Sequence, residues 1–96
     1  MNLKSPRDAV ISVGRIYCDL VFAGLSGMPQ MGREVFARSM QPVLGGGAFI
    51  AAAHLTHLDR PAALLASYGT DPLSQTLAPQ LEDSGIDLRF LERRAD

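Results

Sequence analysis

GGGAFIAAAHLTHLDRPAALLASYG, residues 45–69, is the stretch on which the fold turns. Three glycines precede a run rich in alanine and leucine, both strong helix formers, and that run is apolar on most of its circumference. It predicts a helix that ends at Asp59-Arg60-Pro61, because a proline disfavours helical geometry in the residue before it. Ala62 to Ser67 follows, closed by Tyr68-Gly69. Too few residues lie between Pro61 and Gly69 for a second helix, so this segment predicts a strand, buried on both faces.

The flanks extend the pattern. Upstream, Ala9 to Val13 (AVISV) is a short apolar run with β-branched members, closed by Gly14. It too predicts a strand buried on both faces. Asp19 to Ala23 (DLVFA) predicts a second short strand, and the glycines and Pro29 between Gly24 and Gly32 predict a loop. Glu34 to Val43 predicts an extended edge or lid strand, with Pro42 near its end. Downstream, Asp71-Pro72 is a helix start, with Asp as N-cap and Pro in the first turn. That helix should run to about Ser84, carry a kink at Pro79 and stop at Gly85. Ile86 to Leu91 predicts a last strand, and Glu92 to Asp96 a charged end. A strand, a crossover helix and a strand make a parallel pair. The fold class is therefore α/β: an incomplete Rossmann-like sandwich with a small β lid.

Composition narrows the function. The 96 residues are 47% apolar and 20% charged, with a formal net charge of −1. That balance argues against a nucleic-acid module, which needs a basic face, and against a disordered tail. No apolar run approaches the roughly 20 residues needed to span a bilayer. Met1 to Asp8 lacks the apolar core of a signal peptide. The single cysteine, Cys18, excludes an internal disulfide framework and predicts a buried structural thiol. A cytoplasmic location is expected. The mean hydropathy, +0.09, is high for so short a chain.

Two places could carry chemistry. Glycines before a helix let a ligand approach the backbone, and the helix adds free N–H groups and the positive end of its dipole. The Lys-Ser/Thr pair of a phosphate loop is missing, since Ala48 and Phe49 follow Gly47. Only Gly14 stands where a dinucleotide fingerprint would need more glycines. Asp19, just past the first strand, lies at the edge where α/β sheets place ligands. Ionised, it only accepts hydrogen bonds, which suits a pair of polyol hydroxyls. His54 and His57 read as helix-surface histidines, and neither a metal site nor a catalytic residue is expected.

Taken together, VGRIYCDLVF (13–22), Gly32-Arg33-Glu34, GGGAFIAAAHLTHLD (45–59) and YGTDPLSQTLAPQLEDSGID (68–87) resemble the N-terminal third of the ribokinase/PfkB carbohydrate kinase family. The resemblance implies that residues 1–96 are the N-terminal part of one ribokinase-like domain, with lid strands at about 20–44 and the rest of the domain absent. It implies substrate binding by Asp19, Gly45 and Gly46, and phosphoryl transfer from ATP with Mg2+ to a hydroxyl of a small sugar-like substrate. Four positions depart from the family pattern: Tyr17 and Ile50 stand where polar residues are usual, Asp59 and Ser74 where glycines are. Tyr17 and Ile50 suggest a different, more apolar substrate. The family's catalytic base lies in a Gly-Ala-Gly-Asp motif late in a chain of about 300 residues, about two typical domains' worth. No such motif occurs here, so the 96 residues alone are expected to be inactive and to bind no nucleotide. The alternative is a non-catalytic sugar-binding or dimerising module, a homo-oligomer formed through lid residues such as Phe22, Val35, Phe36 and Met40.

Overall fold

The computed structural model describes residues 10–95. Ala9, the expected start of the first strand, lies outside them, as do Met1 to Asp8 and Asp96. The elements run β1 (Val10–Val13), β2 (Tyr17–Ala23), β3 (Ser39–Gly45), α1 (Gly47–His57), β4 (Ala62–Tyr68), α2 (Pro72–Asp83) and β5 (Leu91–Arg93). They form a three-stranded parallel sheet in the order β1-β4-β5 and a separate antiparallel pair, β2-β3. The expected α/β class and the two-stranded lid are both present.

Alternation along the strands sets the core. Val10 pairs with Ala62 and Val13 with Leu65, so Ser12 and Leu64 share one face while Ile11, Val13 and Leu65 share the other. On the first face the Ser12 hydroxyl donates to the Ala48 carbonyl at 2.8 Å, which ties α1 to β1. Leu64, Ala62, Ala52, Leu44, Leu77, Leu81 and Ile86 form the core there. On the second face Ile11 is 55% exposed and Val13 68% exposed. This corrects the expectation of burial on both faces. Ala52 and Leu77 bring both helices to the core on the Leu64 face, and the Ile11–Val13–Leu65 strip stays open.

Strand boundaries also differ from expectation: β2 begins at Tyr17 rather than Asp19, and β3 runs on to Gly45 rather than ending at Val43. β3 begins at Ser39, not Glu34, because the Arg38 amide donates to the Ala23 carbonyl at 2.9 Å and closes the β2–β3 loop there. Val35 and Phe36 consequently lie in the loop rather than on a strand. The last strand is Leu91–Arg93, not Ile86–Leu91. Asp87 makes only an isolated bridge to Ala63, and then its carboxylate accepts from the Arg89 amide at 3.1 Å. That local bond competes with the ladder and turns the chain away.

The helix ends follow their sequences. At the close of α1 the Arg60 amide donates to the Leu55 carbonyl at 2.8 Å and the Asp59 amide to the Thr56 carbonyl at 3.1 Å. This is the Schellman arrangement, with Asp59 in the left-handed region at φ 61°. In α2 the Asp71 carboxylate accepts from the Ser74 hydroxyl at 2.6 Å and from the Ser74 amide at 3.3 Å. The helix continues through Pro79 to Asp83.

Two expectations follow. Asp59→Gly should remove the cost of an L side chain at positive φ and raise stability by about 0.5–1 kcal/mol, read as a shift in urea midpoint. The Ser74 hydroxyl, then the Ser74 amide, hold the Asp71 carboxyl below its ordinary value. A lowered folded pKa gives stability that is present above the unfolded value, about 3.9, and lost as pH falls through the folded one. Melting temperatures of Asp71→Ala should therefore lie below those of the parent at neutral pH and converge on them in acid. Asp87, also lowered by its hydrogen bonds to Arg89, leaves a residual acid slope in both proteins.

Candidate functional site

The β2–β3 register assembles the site. Tyr17 stands opposite Gly45 and Asp19 opposite Val43, so Tyr17, Asp19, Val43 and Gly45 share one face of the pair. Cys18, Leu20 and Phe22 share the other with Leu44, Pro42 and Met40. Asp19 is thus the third residue of a lid strand rather than a residue at the edge of the parallel sheet. The structure brings it against Gly45 all the same.

Each glycine of the triplet meets different surroundings. A Cβ at Gly45 would run into the Asp19 carboxylate, which lies directly on the Gly45 backbone. Gly46, the N-cap of α1, has φ 97°. A Cβ there would stand 2.5 Å from the Arg15 carbonyl oxygen and 3.1 Å from Tyr17 Cδ2. Gly47 has no neighbour within 4 Å of such an atom. No side chain caps α1, so the amides of its first turn remain free of intrahelical partners. One turn on, the Ile50 amide donates to the Gly46 carbonyl at 2.9 Å and closes the first turn of α1. The corner therefore combines a carboxylate, two close-approach glycines and the electropositive start of a helix.

A cleft of about 490 Å³ lies elsewhere: it is lined by Cys18 and Leu44 of the opposite hairpin face, with Tyr68, Ser74, Leu77 and Arg94. Neither Asp19 nor the glycines line it, but Tyr17 does. The cleft is larger, yet the Asp19 corner has the carboxylate and the helix start, so the chemistry points to the corner. Cys18 is half-buried and packs against the core. His54 and His57 are exposed on α1, as expected. Among the described residues no three His, Cys, Asp or Glu side chains converge to hold a cation. The contribution of the Arg15 carbonyl escaped the sequence reading; strand alternation from Asp19 back to Tyr17 was the signal for the ring.

Consecutive substitutions should separate the three glycine roles. Gly45→Ala should fold yet displace the Asp19 carboxylate, visible as altered Asp19 and Gly45 resonances. Gly46→Ala should be the most damaging of the three, losing more than the roughly 1–3 kcal/mol of its backbone strain, because the new Cβ also meets the Arg15 carbonyl oxygen. Gly47→Ala should be neutral or mildly stabilising by urea denaturation, as a helix favours alanine over glycine.

No family model and no curated protein sequence matches the chain. Solved structures do. A ribokinase-like protein from Agrobacterium tumefaciens superposes with a TM-score of 0.75 at 24% identity, over 90% of this chain and 28% of that one. A ribokinase from Arabidopsis thaliana, complexed with ribose and ATP, gives a TM-score of 0.69 at 23% identity, over 92% and 28%. The nucleoside kinase of Methanocaldococcus jannaschii, an archaeal member of the ribokinase family, gives 0.68 at 21% identity, over 90% and 28%. The chain thus spans little more than a quarter of the length of the structures it matches. No helix among the described residues is long and apolar enough to cross a membrane. At this level of identity the likeness is one of architecture, and it is unambiguous: the chain has part of the ribokinase-like α/β fold.

Proposed function

We propose that these residues are the N-terminal, substrate-side portion of an ATP-dependent carbohydrate kinase of the ribokinase/PfkB kind, which transfers a phosphoryl group to a hydroxyl of a sugar or related small molecule. The observation that carries this reading is the Asp19 carboxylate lying against the Gly45 backbone at the start of α1. Each residue has a definite part in it. Asp19 accepts hydrogen bonds from two hydroxyls, and a charged acceptor makes those bonds stronger than neutral ones. Gly45 and Gly46 leave room for the Asp19 carboxylate and the Arg15 carbonyl to lie against the start of α1. The uncapped α1 amides donate to a hydroxyl oxygen and favour negative charge beside it.

Phosphoryl transfer depends on positioning and charge stabilisation, with a base in reach of the attacking hydroxyl. No described residue is assigned as that base. In this reading the base, the nucleotide and Mg2+ are held by parts of the protein other than residues 10–95.

The test is polyol titration of the chain, read at the Gly45 and Gly46 amides. Asp19→Asn should weaken binding at least about tenfold, the scale of a hydrogen bond to a charged group. Binding indifferent to Asp19, or ATP-dependent phosphorylation by the 96-residue chain itself, would overturn the reading.

A second reading, a dimerising module, draws on the other face of the hairpin. There Leu20 pairs with Pro42 and Phe22 with Met40, and Leu20, Phe22 and Met40 are exposed. A monomer at all concentrations in sedimentation would exclude it.

A further inference from the structure

Val43 is the cross-strand partner of Asp19, and the Asp19 carboxylate lies on the backbone of Gly45, two residues further along β3. The edge of β3 turned away from β2 is held by a side chain of α2. The Gln80 Nε2 donates to the Pro42 carbonyl, and the Leu44 amide donates to the Gln80 Oε1, both at 3.1 Å. A carbonyl only accepts and an amide only donates, so these partners fix which way the carboxamide points. The two bonds fall on either side of Val43, the pattern that one residue of a parallel neighbouring strand would make. The clamp is thus centred on the residue opposite Asp19.

These bonds are hard to replace with water. Leu44 is only 7% exposed, and Gln80 is half-buried. An amide left unpaired at such a position costs more than its bond returns. Beside the clamp lies a hollow of about 380 Å³, lined by Val43, Phe49, Ala53, Gln80 and Asp83 among others. Without the carboxamide β3 has room to move into that hollow, away from β2, and Gly45 would move with it.

We propose that Gln80 is a positioning residue for the Asp19 carboxylate, acting through β3 rather than on the ligand. Gln80 fixes Pro42 and Leu44, and the β2–β3 ladder then holds Asp19 on Gly45. The acceptor is arranged before a polyol arrives, which lowers the cost of binding one. The consequence for polyols rests on the hydroxyl-binding reading of Asp19; the geometric claim does not.

The experiment compares the isotope-labelled parent with Gln80→Met, which is similar in length and makes neither bond. It follows the Asp19 carboxyl and Gly45 amide resonances and titrates each protein with ribose. Gln80→Met should move both resonances and weaken ribose binding about tenfold, as a pre-arranged acceptor is released. Gln80→Glu keeps an acceptor for the Leu44 amide but sets an oxygen against the Pro42 carbonyl, so it should move the same resonances. Ile86→Val trims the same core and leaves the β3 edge alone, so both resonances should stay in place. Resonances unmoved in the Gln80 variants, or moved as much in Ile86→Val, would overturn the positioning role. So would resonances that move while ribose affinity holds. A parent that binds no ribose would overturn the hydroxyl reading, and the resonances would still decide the part played by Gln80. Should Gln80→Met fail to fold, Gln80→Glu, almost identical in size, carries the same comparison.

Discussion

The carboxamide of Gln80 ties α2 to β3. Its nitrogen donates to the Pro42 carbonyl and its oxygen accepts from the Leu44 amide, both at 3.1 Å. These two groups point away from β2, towards the edge of β3 where another strand would otherwise bond. One side chain of α2 thus stands in for a strand. Pro42 fits this edge because the donor it lacks would have pointed the same way as its carbonyl. Held there, β3 can lead into α1 only through Gly45 and Gly46, and the β2 register then sets Asp19 on Gly45. The candidate site depends on a bond made on the opposite side of the strand from β2.

Much of this was legible in the sequence because local chemistry and tertiary packing agree. Asp71-Pro72 starts a helix in isolation as well as here, and Gly45-Gly46-Gly47 before an alanine-rich run marks a strand-to-helix junction in almost any context. Asp19 and the glycines were singled out by residue type alone, and the structure brings them together. What sequence could not supply was the register. It is the antiparallel pairing of β2 with β3, a long-range fact, that sets Tyr17 opposite Gly45 and lays the Asp19 carboxylate on the Gly45 backbone.

The boundary of the last strand has a local cause instead. Ile86 and Asp87 have the apolar and extended character of a strand start, and Ile86 does reach the core. The ladder fails to continue because an Asp87 carboxylate bond to the Arg89 amide competes with it. Asp59 shows the converse. The left-handed end of α1 is a position where glycine is usual, and Asp fills it because a short polar side chain tolerates positive φ better than a branched one. The sequence shows that α1 must end near Pro61, but not that Asp59 takes the strained conformation.

The sidedness of the parallel sheet bears on the mean hydropathy. Strands covered on one face alternate apolar and polar residues, whereas strands covered on both read as continuous apolar runs. β1 and β4 are of the second kind, yet among the described residues only the Leu64 face is covered. Part of the excess apolar character therefore sits on two strand surfaces: the Ile11–Val13–Leu65 strip and the Leu20–Phe22–Met40 strip of the hairpin. Neither strip includes Asp19, Gly45 or Gly46. The contacts that position the carboxylate come from β3, α1 and Gln80, so the geometry of the site does not rely on either open surface being covered. A carboxylate, a glycine pair and a helix start can thus be pre-arranged by these residues even where phosphoryl transfer requires more protein than they contain.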